Sequence, residues 1–210
     1  MSELPPQYNA DSIDEKTVAR DPLTLFQRWL NEAMAAGIPL AEAMTLATST
    51  PDGKPSARLI LLKGADENGF VFYTNYNSPK ARELDANPQA ALVFYWPQLE
   101  RQARVEGKVE RTAAAESDVY FKTRPRESQI GAHASPQSEV IASRKALQQK
   151  ADQIEKLYEG HEVERPAHWG GYRLHAERIE FWKGRPGRLH DRILYERQAD
   201  GSWTIKRLAP

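Results

Sequence analysis

The sequence predicts a mainly β, antiparallel fold with flanking helices, a closed or partly closed barrel, and three observations carry that reading. Short runs rich in β-branched and aromatic residues recur between positions 43 and 109 and again after 172. The links between them, such as Pro51-Asp52-Gly53, Asp66-Glu67-Asn68-Gly69 and Ala199-Asp200-Gly201, hold residues that tolerate positive φ, which favours hairpins over crossovers. The glycine-rich stretch 184–187 lacks Gly-x-Gly-x-x-Gly spacing, and no Gly-Lys-Ser/Thr loop occurs, so a parallel nucleotide-binding sheet is not expected.

Taken in order, residues 1–20 show no apolar periodicity and are expected to form a flexible N-terminal arm, leaving 21–210 as one domain. Asp21-Pro22 supplies an N-cap and an N1 proline for a helix carrying Leu23, Phe26, Leu30 and Met34, which Gly37 and Pro39 end. Strands are expected over 44–49, 57–63, 70–74, 90–96 and 102–109. A short helix should start at Ser78-Pro79 and stop before Asn87-Pro88, and another should run over 113–122, halted ahead of Arg124-Pro125. Ile141, Leu147, Ile154 and Leu157 mark a mostly polar helix with a solvated face. Strands return over 172–182, 189–196 and 203–208.

Composition excludes several function classes. With 210 residues and 40% hydrophobic content the chain can bury a sizeable core. Lys plus Arg and Asp plus Glu both total 29, so no net field draws nucleic acid or an anionic membrane, and any anion site must be a local cluster. The absence of cysteine removes disulfides, thiolate nucleophiles and Cys-ligated zinc, and no metal is expected. Neither an apolar leader nor a bilayer-length apolar run is present, so the expected location is the cytoplasm.

Four segments hold candidate chemistry. In 58–63, strand periodicity puts Arg58 and Lys63 on opposite faces, and taken alone this segment is a core strand bounded by solvated charges. Downstream of Tyr73-Thr74-Asn75, the helix start Ser78-Pro79-Lys80 offers free amides beside a lysine, a natural phosphate seat or simply a capped helix. Tyr120, Arg124 and Ser128 recur every four residues and suit a phosphate dianion, with Ser128 joining through a turn if Pro125 breaks the helix; an exposed basic helix end is the competing reading. Ser135-Pro136-Gln137-Ser138 reads as a polar connecting loop. Around 182–192, Trp182, Arg188, His190, Asp191 and Arg192 crowd one turn, and alternation puts Arg188, His190 and Arg192 on one face if a strand starts there.

These residues resemble the pyridoxine 5′-phosphate oxidase family. The likeness is carried by 58–63, Phe72-Tyr73-Thr74-Asn75, Glu100-Arg101-Gln102, 124–132, Trp169-Gly170-Gly171, 188–192 and Arg207-Leu208-Ala209-Pro210, in order and spacing, and spans about 21–210. The resemblance implies an FMN-binding split β-barrel, a homodimer with flavin in clefts between subunits, and oxidation of pyridoxine 5′-phosphate and pyridoxamine 5′-phosphate by O2 to pyridoxal 5′-phosphate and H2O2. It implies flavin contacts at Arg58, Ile60, Lys63, Tyr73, Thr74, Lys80, Gln102, Gln137, Ser138, Trp182 and Arg192. Substrate contacts are implied at Tyr8, Lys63, Tyr120, Arg124 and Ser128, with Arg188 and His190 as the catalytic pair at the pyridine ring. Two departures stand out: Pro79 replaces an arginine of the family's Ser-Arg-Lys, and Pro5-Pro6-Gln7-Tyr8 keeps the tyrosine of Arg-Arg-Glu-Tyr without its arginines. A non-catalytic flavin or pyridoxal-phosphate carrier and a nicotinamide-dependent flavin reductase of the same fold are the alternatives.

Overall fold

The computed structural model describes residues 12–210. Its first helix, α1 (Pro22–Ala35), starts where the cap chemistry places it. Asp21 accepts from the amides of Leu23 at 3.2 Å and Thr24 at 2.9 Å. The helix turns Leu25, Phe26, Trp29 and Ala33 inward. Phe26 meets Phe70 and Phe94 edge-on at 4.9 and 4.8 Å, and Trp29 meets Phe181 at 5.2 Å. Each such ring contributes about 1.5–3 kcal/mol by leaving water. The helix therefore plugs one end of the sheet.

The strands are β1 (Ala43–Ser49), β2 (Pro55–Leu61), β3 (Gly64–Asp66), β4 (Gly69–Asn75), β5 (Gln89–Trp96), β6 (Arg101–Arg111), β7 (Trp169–Lys183), β8 (Asp191–Arg197) and β9 (Trp203–Arg207). All described pairings are antiparallel, as expected, in the order β2-β1-β5-β6-β7-β4-β3. The two ends of this order are consecutive in sequence, and the chain switches partners between them. The Leu62 amide bonds Glu42 O on the β1 side, and the Lys63 amide bonds Val71 O on the β4 side. That seam brings the two ends of the order together through the chain itself, without a ladder between β2 and β3. β3 was not expected from sequence, because three residues carry no periodicity of their own.

β7 is the longest strand and holds the barrel together. Along one edge it pairs with β6, while its other edge pairs with β4 through its first half and with β8 through its second, so the sheet forks there. The register against β6 slips between Glu106 and Gly107, and a Cβ on Gly107 would stand 2.0 Å from His175 O. Only glycine fits that bulge.

The remaining helices are α2 (Pro79–Ala86), α3 (Ala114–Thr123), α4 (Arg126–Ala134) and α5 (Arg144–Leu157). In α5 every residue is at least partly solvated, as its polar pattern predicts. α4 departs from the expected turn. Pro125 ends α3 and stands at the N-cap of a new helix, because its ring cannot continue a helix yet suits the position before one. The stretch 12–20, assigned above to the flexible arm, lies against β8 and β9: Ile13 is buried and Tyr195 Oη donates to Ala19 O at 2.7 Å. Residues 1–11 fall outside the described chain. Among the described residues no helix is long and apolar enough to cross a membrane, and no group of His, Asp and Glu gathers with metal-ligand geometry.

Candidate functional site

An open cleft of about 530 Å³ lies along the β2–β3 seam, under the starts of α2 and α4. Ten of the residues singled out from sequence line it: Arg58, Ile60, Lys63, Tyr73, Thr74, Lys80, Tyr120, Arg124, Ser128 and Gln137. Arg58 and Lys63 share this cleft rather than facing opposite ways. Strand alternation ends at Leu61, and the partner switch at Leu62 and Lys63 turns the chain.

One end of the cleft is organised around Lys80. Its ammonium, nearly out of water, is 3.0 Å from Gln137 Oε1, 3.2 Å from Thr74 Oγ1 and 3.4 Å from Ser78 Oγ. Burial pushes its pKa down and the nearby Arg58 charge adds to this, with Glu83 opposing. Arg58 itself is fastened by its Nη atoms to Thr48 Oγ1 at 2.6 Å, Leu46 O at 3.3 Å, Ser56 Oγ and Glu83 Oε2 at 3.2 Å. The α2 start does not present the expected row of free amides. Pro79 has no N–H, and the Ala81 and Arg82 amides both donate to Ser78 O. The seat consists of a lysine among hydroxyls and one side-chain amide, a set of cation and neutral donors that fits a phosphate.

The other end belongs to Arg124. Its guanidinium lies 4.4 Å above the Trp169 ring and 5.3 Å from Phe121. Nη1 is buried with no hydrogen-bond partner among the described residues, and burial lowers the pKa of the group. A buried N–H donor with nothing to bond costs about 1–3 kcal/mol, more when charged, unless a ligand meets it. Tyr73 and Tyr120 stack at 4.0 Å and Tyr73 and Trp169 at 5.3 Å, forming an aromatic wall. Burial, with Glu116 next, pushes the Tyr73 phenol up to about 12, and burial also raises Tyr120 against the opposing Arg124 charge. Both phenols therefore keep their protons and can donate. Gly171 makes the wall possible, since a Cβ there would stand 2.8 Å from the Tyr73 ring. Trp169, quoted above only as part of a motif, is the residue that sequence reasoning left without a role.

The remaining expected residues stand elsewhere. Gln102, Trp182 and Arg192 face one another across β6, β7 and β8, outside the lining of the cleft. The His190 ring is 4.6 Å from Trp182, and its Nδ1 accepts from the Arg185 amide at 3.1 Å. Arg192 donates to Glu180 Oε1 at 2.8 Å and Ala209 O at 2.9 Å. The alternation proposed for Arg188, His190 and Arg192 does not hold, because β8 begins only at Asp191. Gly187 and Arg188 before it take left-handed φ of 69° and 62°. Ser138, also left-handed at φ 70°, adjoins Gln137 but is not itself part of the lining. Tyr8 falls outside the described residues.

A larger hollow, about 640 Å³ between α3, α4 and α5, has its cations already matched: Arg126 with Glu155 at 2.9 Å and Lys122 with Glu162 at 3.8 Å. In the seam cleft, by contrast, Arg124 Nη1 is buried without a hydrogen-bond partner among the described residues.

Comparison with known proteins agrees with this geometry. Residues 30–158 match the family model described as pyridoxamine 5′-phosphate oxidase, and residues 169–210 match the pyridoxine 5′-phosphate oxidase C-terminal dimerisation region. The chain is 55% identical to a pyridoxine/pyridoxamine 5′-phosphate oxidase of Burkholderia lata, over 100% of this chain and 99% of that one. It is 52% identical to one of Trichormus variabilis, over 100% and 98%. Among solved structures, PhzG from Burkholderia lata, in complex with tetrahydrophenazine-1-carboxylic acid, superposes with a TM-score of 0.91 at 32% identity, covering 97% of this chain and 99% of that one. A pyridoxamine 5′-phosphate oxidase-related, FMN-binding protein of Nostoc punctiforme shares the fold with a TM-score of 0.74 at 17% identity, over 92% and 100%. The fold is the expected split barrel, and the chain belongs to the pyridoxine/pyridoxamine 5′-phosphate oxidase family.

Proposed function

We propose that the protein is an FMN-dependent oxidase that converts pyridoxine 5′-phosphate and pyridoxamine 5′-phosphate to pyridoxal 5′-phosphate, working as a homodimer. The observation that carries this reading is the pair of cationic seats, at Lys80 and at Arg124, lining one cleft together with the Tyr73–Tyr120–Trp169 wall. Two phosphorylated aromatic ligands, each held by its own seat, would lie ring against ring between them.

FMN, when bound, would supply a two-electron acceptor for the C4′ hydride, with dioxygen as the final oxidant and hydrogen peroxide as its product; the alcohol would give the aldehyde directly, and the amine an imine that water hydrolyses to aldehyde and ammonia. Arg58, Ile60, Lys63, Tyr73, Thr74, Lys80, Gln137 and Ser138 would hold the cofactor from one subunit. Arg124, Tyr120, Ser128 and Lys63 would grip the substrate phosphate. Gln102, Trp182, Arg188, His190 and Arg192 would complete the site from the partner subunit, which the match of 169–210 to a dimerisation region supports. The Arg185 amide, bonded to Nδ1, would orient the His190 ring toward the substrate. Holding two rings in contact is the chain's main contribution, and such positioning supplies roughly 7–11 kcal/mol of a barrier.

The test is spectroscopic. The purified protein should carry a flavin spectrum that bleaches when pyridoxamine 5′-phosphate is added without oxygen and returns on aeration with peroxide release. A colourless protein, or a flavin bleached by NADPH and not by pyridoxamine 5′-phosphate, would refute the proposal in favour of a carrier or a reductase.

A further inference from the structure

The segment Arg207-Leu208-Ala209-Pro210 has no role among the ligand contacts above, yet it is tied to the site edge and to the beginning of the described chain. Arg207 Nη1 donates to Asp191 Oδ1 at 2.8 Å, Nε donates to Glu15 Oε2 at 2.8 Å, and Nη2 donates to Ile13 O at 3.1 Å. Asp14 adds a carboxylate 3.7 Å from Nη2. One guanidinium thus joins residues 13–15, the first residue of β8 and the end of β9. The planar fork of arginine suits a junction of this kind, which a lysine cannot reproduce.

The junction continues toward the catalytic pair. Asp191 Oδ2 faces Arg185 Nε at 3.6 Å, and the Arg185 amide holds His190 Nδ1. On the next residue, the Leu208 amide bonds Arg192 O at 2.9 Å. The loop between β7 and β8 has two successive left-handed residues, Gly187 and Arg188, and lies outside the strand ladder, which β8 resumes at Asp191. Backbone bonds from the Gly184 amide to Glu100 O at 2.8 Å and from the Leu189 amide to Pro186 O at 3.4 Å hold it together with side-chain ties of this sort. The Asp191 side chain is only 15% exposed and that of Arg207 37%, so solvent screens the pair less than a surface bridge.

Building on the function proposed above, we propose that Arg207 is a positioning residue: through Asp191 it sets the loop that presents Arg188 and His190, and through Ile13 and Glu15 it anchors the segment leading toward Tyr8. It touches neither ligand.

The test uses the full-length, FMN-loaded protein with Arg207→Ala, Arg207→Lys and Asp191→Asn, and Lys206→Ala as a control, since Lys206 pairs with Glu196 instead. Steady-state kinetics with pyridoxine 5′-phosphate, FMN affinity by fluorescence and amide hydrogen exchange are read on each. Arg207→Ala should lower kcat/KM about 10- to 100-fold, the scale of a small misplacement of a reacting group. FMN affinity should stay within about threefold, and exchange should quicken in 13–20 and 185–192 together. Arg207→Lys should lie between, and Lys206→Ala should match the parent. Parental kcat/KM with parental exchange overturns the proposal, as does exchange that quickens in one segment alone or a loss confined to FMN affinity. If Arg207→Ala does not fold, Arg207→Lys and Asp191→Asn decide by the same readouts. A parent protein that folds yet does not oxidise pyridoxine 5′-phosphate refutes the proposed function, while the exchange comparison still decides the clamp.

Discussion

Lys80 in the seam cleft and Arg192 on the β6–β8 edge are both expected flavin contacts, but their surroundings differ in kind. Lys80 stands among neutral oxygens of Thr74, Ser78 and Gln137, and burial holds its pKa down. Arg192 is bonded to the Glu180 carboxylate, which raises its pKa. The same division separates Arg124, with a buried N–H lacking a partner, from Arg207, surrounded by Asp14, Glu15 and Asp191. A cation that the fold leaves without a counter-ion is built to receive an anion from a ligand. A cation that the fold already pairs, such as Arg192 or Arg207 and, within the cleft, Arg58 with Glu83, is held in place by its partner. On the proposed function, phosphate affinity would reside in the cleft wall and orientation at the edge.

Substitutions on the two sides should separate affinity from turnover. The largest effect is expected for Arg124→Ala: KM for pyridoxine 5′-phosphate should rise by 30-fold or more, corresponding to about 2–5 kcal/mol for losing one partner of a desolvated charge pair. FMN affinity should hold and the melting temperature should change little, since the lost cation–π contact with Trp169 is offset by removal of a buried N–H that lacks a partner among the described residues. Next, Arg188→Leu should lower kcat about 100-fold with flavin still bound, as expected for a lost orienting contact. Unchanged kinetics would remove Arg188 from the mechanism. Lys80→Met should weaken FMN by about 1.5–3 kcal/mol, the value of a hydrogen bond to a charged group, while riboflavin, which lacks the phosphate, binds as before.

Lys80 also predicts a pH dependence. Its folded pKa lies below the ordinary value of 10.5, so between the two the unfolded chain binds more protons, and the apo protein gains stability as pH rises through that window. Lys80→Met should flatten the slope. The smallest effect is expected for Ser128→Ala, about 0.5–1.5 kcal/mol in substrate binding and none in FMN binding.

The elements fixed by local chemistry were legible in the sequence. Asp21-Pro22 and Ser78-Pro79 begin helices, and the barrel strands fall where alternation and turn residues place them, because caps and periodicity act over a few residues. What escaped depends on distant partners. The seam at Leu62 and Lys63 exists because β4 and β1 compete for one strand, and it decides that Arg58 and Lys63 share a cleft. Pro125 correctly marks the end of α3, but the helix it begins rests on Gln129, whose Nε2 caps Phe121 O at 2.9 Å, and on Ile130 packed against Phe121 and Trp169. Alternation failed at Arg188 for a local reason too fine for periodicity to detect, two successive left-handed residues. The likeness to a known family pointed to both groups of residues; their separation in a single chain became visible only in three dimensions.

Subunit mixing reads that separation in solution. Arg124→Ala and Arg188→Leu place one defect on each half, so each variant alone should be nearly inactive. If each site draws its phosphate seat from one subunit and Arg188 from the other, half of the dimers formed by random re-assortment are mixed, and each has one intact site. The 1:1 mixture should then recover about a quarter of parental activity. A mixture that stays as inactive as the two variants apart, after exchange of subunits is verified, would rule out a site shared between subunits.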